Sequence, residues 1–404
     1  MSESTQTAAA SAATGQKKHG RLARFFLADH RYVFLGTSVI ALVGLWCGNQ
    51  RHSDWSILAS SYAVESVLYY ALLAWVVISL VALVNKLIKW RDYAATSPFK
   101  KPRAMRIERI CSYFVWVIAA IFVIDRGVLG LCSVVASSIA LDSNPQDFLA
   151  STIYMVYNSR AVYLQGIITT IELALFGTII AFFLALLLVF LRMLQIDRQD
   201  NDFIRFWKVI GQGFARIYST IVRGTPMMVQ GLIIYFAGYS VLRGTGMSVS
   251  EIGGIWSTFV ASLTTISLNS TAYMMEVLRG GIESVDKGQT EAARSLGLSQ
   301  WQAMSKVVFP QGIKNSIPAL SNELVINIKD SSVLSVIGVV DLMFATTTIA
   351  GIYYKQMEIY VMTALVYLLL TAIASKLLTM LSHRLEVKAP GPVLGTSDVP
   401  VSKA

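Results

Sequence analysis

Charged side chains are scarce in this sequence, and so are the residue types that build metal centres and disulfide frameworks. Only 14% of the 404 residues are Asp, Glu, Lys or Arg, with three cysteines and four histidines. Cys47, Cys111 and Cys132 all fall within or at the edge of apolar runs and form no C-x-x-C pair. They imply neither a disulfide framework nor a metal site and read as small packing residues. His19, His30, His52 and His383 lie outside every long apolar run, and neither H-E-x-x-H nor G-x-S-x-G occurs. That argues against an enzyme working within a membrane. No G-x-x-x-x-G-K-[ST] phosphate loop is present, so the chain lacks the usual means of cradling a nucleotide.

What the sequence has in abundance is apolar length. Hydrophobic residues make up 54% of it, and the mean hydropathy is +0.57, values of an integral membrane protein. One crossing takes about 20 mostly apolar residues. Eight stretches meet that need, near 32–48, 64–85, 110–135, 162–191, 225–242, 255–276, 323–350 and 356–382, so an all-α membrane fold of about eight helices is expected. The first stretch is not a signal peptide, because it begins too far in, lacks a small-residue cleavage site and is followed by more spans.

The formal net charge of +10 is distributed unevenly. With the N-terminus taken as cytoplasmic, 27 of the 34 Lys and Arg fall in the inner segments, and four (Arg51, Arg160, Arg243, Lys355) fall outside. That asymmetry is a positive-inside signal placing both termini in the cytoplasm, and it leaves no basic, aromatic-interleaved platform for nucleic acid. The expected organisation is a basic N-terminal tail at 1–31, a three-helix section at 32–161, a five-span section at 162–384 and a polar tail at 385–404. No internal repeat is evident.

Between two of the spans, the polar segment 277–322 carries the marks of two short helices. Asp286 is placed to cap the first, with Glu291 in its early turns, and Gly297 supplies a left-handed exit. Ser299 and Gln302 form an S-x-x-Q capping box, and Pro310 is expected to stop the second helix. Trp301, Met304 and Val308 fall on one face. A floppy connector needs none of this, and a rigid docking surface does.

That segment, "EAARSLGLSQWQAMSKVVFP" at 291–310, resembles the EAA loop of bacterial ABC-importer permeases, whose pattern is E-A-A, three residues, Gly, nine residues, Ile, one residue, Leu-Pro. Glu291, Ala292, Ala293, Gly297 and Pro310 match, while Val307 and Phe309 replace the Ile and Leu. "RGTPMMVQ" at 223–230, "STAYMMEVLRGGIESVDKGQTEAA" at 270–293 and "KDSSVLSVIGVVDL" at 329–342 are similar to the polar amino-acid branch of that family. The resemblance covers roughly 162–384 and implies a type I permease core of five helices, preceded here by three extra ones. It implies that the loop docks into a separate cytoplasmic ATPase, a homodimer carrying the ATP and Mg, so that this chain binds no cofactor. It implies as well a second permease subunit, the same or related, a periplasmic or extracellular amino-acid-binding protein, and the bacterial inner membrane as location.

Polar groups inside the spans are candidates for the substrate pathway, since each costs roughly 2.5–3.5 kcal/mol at the bilayer centre. Glu172 lies ten residues into the fourth span, where a carboxylate could meet an ammonium group or pair with a neighbouring helix. Thr265, Asn269 and Glu276 share a stripe of the sixth span, with Tyr273 beside it; they suit a polar lining or, equally, hydrogen bonding between helices. Glu276 is also placed to anchor the start of the loop with Arg279. Lys329 and Asp330 read as an ion pair or a helix-end clamp rather than a substrate ligand. In "RGTP", Arg223 sits at the inner interface, Thr225 can cap the fifth span and Pro226 suits its first turn. Residues 203–222 are amphipathic and basic, as for a helix lying in the cytoplasmic interface. Asp125 and Arg126 interrupt the third span; adjacent residues diverge by about 100° on a helix and are not expected to face each other. An ion-gradient-driven secondary transporter of a small polar solute is the rival reading; it explains Glu172 but not the capped loop.

Overall fold

In the computed structural model, residues 32–88, 102–194, 196 and 200–385 are described. The expected basic tail at 1–31, residues 89–101 and the polar tail from 386 lie outside them. Among the described residues every regular element is helical. The chain forms two compact units, 1–142 and 143–404.

The first unit contains α1 (Tyr32–Gly48), α2 (Tyr62–Ile88), α3 (Pro102–Phe122) and α4 (Leu129–Ile139). Leu72, Trp75, Val115 and Phe122 fill the space between the first three helices. Hydroxyl pairs tie them further, Thr37 to Ser112 at 2.8 Å and Ser38 to Ser79 at 2.7 Å. Such bonds keep their strength where water does not compete. Between α3 and α4 the helix widens into a π turn at Val123–Val128, which is where Asp125 and Arg126 sit.

Both side chains are buried and clasp the preceding loop. Asp125 accepts hydrogen bonds from Ser56 Oγ (2.7 Å) and from the Ile57 and Leu58 amides (2.7 and 3.2 Å). The Arg126 guanidinium reaches Ser56 Oγ at 2.7 Å, His52 at 2.7 Å and Glu65. The two neighbours also meet directly at 2.6 Å, contrary to the expectation from ideal helix geometry. The wider turn shifts their angular separation, and the long arginine stem bends back. Of the cysteines, only Cys47 packs inside as expected; Cys111 and Cys132 face outward.

The second unit contains α5 (Phe148–Asn158), α6 (Arg160–Arg192), α7 (Asp202–Gly224), α8 (Met227–Gly244), α9 (Val249–Ile255) and α10 (Thr258–Glu283). It continues with α11 (Lys287–Ser295), α12 (Gln300–Ala303), α13 (Phe309–Asp330), α14 (Leu342–Tyr353) and α15 (Gln356–Leu385). α10 is the hub: its Ala261, Ile266, Ala272, Met274, Met275 and Leu278 are fully or almost fully buried. α6 and α13 flank it, joined through Asn327, whose amide nitrogen donates to Thr178 Oγ1 (2.8 Å) and whose oxygen accepts from Ser270 (2.8 Å).

All eight expected spans fall on helical segments, but they differ in length and polarity. Among the described residues, four helices are long and apolar enough to cross a membrane, and six if two bent pairs each count as one. One bent pair corrects the expected continuous span at 323–350. α13 stops at Asp330, a 3-10 turn follows at Ser331–Ile337, Gly338 takes φ +86°, and α14 leaves at 54° with Asp341 capping the Phe344 amide at 2.8 Å. The apolar run across 333–340 hides this break from a hydropathy reading. In the other pair α7 and α8 meet at 112°.

Candidate functional site

The loop joining α10 to α13 is rigid by construction. Asp286 accepts from the Gly288 amide at 2.6 Å and starts α11. At its end the Gly297 amide bonds the Arg294 carbonyl (3.0 Å) and the Leu298 amide bonds that of Ala293 (3.2 Å). This paired closure needs a left-handed residue at Gly297, whose φ is +87°. The capping box forms in both directions, Gln302 amide to Ser299 Oγ at 3.2 Å and Ser299 amide to Gln302 Oε1 at 2.9 Å.

Pro310 does not end the second helix. α12 runs into a π turn at Met304–Val308 and then directly into α13, where Pro310 occupies the first turn. A proline there gives up one helix hydrogen bond, and the π turn directly before it, where the Phe309 amide reaches back to the Met304 carbonyl, marks the shift in hydrogen-bond register. The π turn also spreads Trp301, Met304 and Val308: Val308 is buried, Met304 packs against the core and Trp301 is 60% exposed.

The loop thus has a root and a crown. Ala293, Ala303 and Val308 are buried in the root, while Glu291, Ala292, Gly297 and Pro310 are exposed and Leu296 is 82% exposed. Among the described residues Glu291 has no ion-pair partner within reach. Phe190 of α6 stacks on Phe309 at 4.4 Å and approaches Trp301 at 6.3 Å, framing a cavity of about 220 Å³ beneath the loop. Asn315 of α13 donates to Ser284 at 3.0 Å, tying the two arms together. Where they cross, Gly281 and Gly312 let the backbones touch: a Cβ on Gly312 would lie 2.6 Å from Ile282 Cα.

Glu276, about two turns before the loop, gathers charges from three helices. It accepts from Arg279 Nε (2.9 Å) and Ser219 Oγ (3.0 Å), with Arg192 at 3.4 Å and Arg223 at 3.8 Å. The anchoring to Arg279 is present, and the same carboxylate holds the ends of α6 and α7 as well. Arg223 also stacks over the Tyr273 ring at 5.6 Å.

The "RGTP" turn is assembled differently from the expectation. Thr225 closes α7 and does not cap α8; its hydroxyl donates back to the Ile221 carbonyl at 2.9 Å. Pro226 precedes the first helical residue of α8 rather than lying within its first turn. The residue before a proline is pushed out of the helical region, which is why α7 ends at this point. Gln230, whose role the sequence did not reveal, spans the bend: its amide donates to the Val222 (2.7 Å) and Thr225 (3.0 Å) carbonyls and its oxygen accepts from Asn269 (3.0 Å).

The sixth-span stripe is therefore largely internal to the chain. Thr265 is fully buried and bonds its own helix at the Ala261 carbonyl (2.7 Å); Asn269 is held by Gln230. Tyr273 is outward-facing, and Glu172 is half-buried, with no ion-pair or hydrogen-bond partner among the described residues. The structure does not bring Glu172 into a bonded cluster with the stripe. Lys329 is exposed and forms no ion pair with Asp330, which stands at the end of α13 without capping the following turn. Buried Glu323 and Asn327 of α13 went unnoticed in the sequence, although Ser316, Leu320, Glu323 and Asn327 repeat at helical spacing. Among the described residues no cluster of three His, Cys, Asp or Glu could hold a metal ion.

Comparison with known proteins bears on the same segments. The family described as "Binding-protein-dependent transport system inner membrane component" matches residues 202–387. The nopaline transport system permease protein of Agrobacterium fabrum is 30% identical over 249 residues, 61% of this chain and 96% of that protein. The glutamine transport system permease protein of Escherichia coli K12 is 34% identical over 178 residues, 44% of this chain and 77% of that protein. A solved structure titled as an amino acid ABC transporter with histidines shares 33% identity at a TM-score of 0.49, covering 59% of this chain and 99% of that one. With its capped loop, and with a 30%-identical relative matched along nearly its whole length, the chain belongs to the binding-protein-dependent inner membrane components, the permease subunits of ABC importers.

Proposed function

We propose that this permease carries polar L-amino acids across the bacterial inner membrane, with both of its termini in the cytoplasm. The named substrates of its relatives, nopaline and glutamine, support that substrate class. The loop around Glu291 docks a homodimeric ATPase that holds the ATP and Mg, and this chain binds neither. A second permease subunit, the same or related, completes the pathway, and an external binding protein delivers the substrate. The section at 32–161 is an extension to the permease domain at 162–384.

One observation carries the docking role: Glu291, Ala292 and Leu296 stand exposed on a loop that is capped at both helices and clamped at its root. Stiffness of this kind is what transmission requires, since the ATPase biases the permease only by its differential affinity for two states. Within the pathway, Asn269 joins α10 to α8 through Gln230, Thr265 bonds within its own helix, and the Glu172 carboxylate is free to meet a substrate ammonium group. Right-side-out vesicles and proteoliposomes loaded with ATP and containing all subunits test the proposal. Glu291→Lys and Gly297→Asp abolish ATP-driven uptake while the chain still reaches the membrane. Normal uptake by both variants, or uptake that follows an ion gradient and ignores ATP, would overturn it.

A further inference from the structure

α7 packs against its own unit with the less expected of its faces. Its packed face carries Lys208, Gly211, Gln212, Ala215, Tyr218 and Ser219, mostly polar or small. Gln212 bonds the Leu194 carbonyl, Tyr218 the Leu268 carbonyl, Ser219 the Glu276 carboxylate and Lys208 that of Asp200. The apolar stripe points away: Phe203, Trp207, Ile210, Phe214, Ile217 and Ile221, at i, i+4, i+7, i+11, i+14 and i+18, are each 42–69% exposed. A helix of a water-soluble domain turns its apolar stripe inward, so this arrangement requires an apolar environment outside the unit.

We infer that the apolar stripe of α7 lies in the headgroup–acyl boundary of the cytoplasmic leaflet, and that the partner of this surface is the bilayer itself. The 112° bend turns α7 far off the axis of α8, the helix on the expected fifth span, an attitude that suits an interfacial helix. Its third face carries Arg205 and Arg216, basic groups suited to the headgroup and water side, and the Lys and Arg asymmetry of the sequence assigns this segment to the cytoplasm. The polar face then links the leaflet to the loop. Through the bond from Ser219 to Glu276, α7 is tied to α10, the helix that leads into the loop.

A photoreactive benzophenone side chain in place of Phe203 or Phe214, both conservative exchanges, tests this in the intact importer reconstituted in lipid. Lipid adducts at both positions, several-fold more abundant than from the same group at Arg216, are expected. Adducts to a second permease copy, to the ATPase or to residues 1–142 overturn the inference, as does equal labelling at all three positions. The adducts read location, not transport, so a failure here is separable from a failure of the proposed function.

Discussion

Two adjacent glycines at the root of the loop should respond to the same substitution in opposite directions. Gly280 has nothing within 4 Å of an added Cβ, whereas a Cβ on Gly281 would lie 1.9 Å from Ser316 Oγ and 2.6 Å from the Gly312 carbonyl oxygen. Alanine is better than glycine in a helix by about 1 kcal/mol, so Gly280→Ala stabilises by up to that amount. Gly281→Ala gains the same intrinsic term. The Ser316 hydroxyl can swing aside but then loses its bonds to Gly312 O (2.8 Å) and Val277 O (3.3 Å). The carbonyl cannot move without α13, and overpacking of this kind costs about 1–3 kcal/mol, with roughly 1 more for the lost hydrogen bonding. The two variants should therefore differ by about 2–4 kcal/mol, or roughly 5–15 °C in Tm for a unit of this size. Thermal unfolding of the purified chain in one detergent measures the gap, and uptake assays show whether separating the arms also weakens coupling. Equal melting temperatures would refute the claim that the arms are held in backbone contact.

Other substitutions probe the remaining joints. Gln230→Ala leaves the Val222 and Thr225 carbonyls without their side-chain donor and should cost about 1–3 kcal/mol, read as a lower Tm. Arg126→Met strands the buried Asp125 and the partly buried Glu65 carboxylates and should destabilise the first unit by about 3–5 kcal/mol. Adding Glu65→Gln should recover part of that loss; no recovery in thermal unfolding counts against the cluster. Glu276→Gln keeps the Ser219 bond but removes the charge shared by Arg192, Arg223 and Arg279. Its ATP-driven uptake should fall more than its membrane abundance, as measured on the same vesicles.

The sequence was most readable where structure is made by neighbours. The Asp286 cap, the Gly297 turn and the Ser299–Gln302 box are closed by groups within five residues of one another, so spacing alone identified them. Pro310 is ambiguous in the sequence because a proline that stops a helix and one that lies in a helix's first turn look alike, and nothing in "MSKVV" announces a π turn. The break at Gly338 was masked by apolar flanks. Asp125 and Arg126 could not be understood from the third span, since Ser56, Ile57, His52 and Glu65 lie 61–74 residues earlier. Likewise the sequence leaves Asn269 open between a pathway group and an interhelical bond because its partner, Gln230, is 39 residues away.

The widened turn at Met304–Val308 makes residue count itself a functional variable. One extra residue in a turn offsets the phase of every side chain beyond it by about 100° relative to an unbroken α-helix. Phe190 now touches Phe309 and nears Trp301 at once because of that offset. A chain shortened by a single residue here would keep both caps and every exposed side chain of the loop, yet turn its crown by about 100° relative to α13.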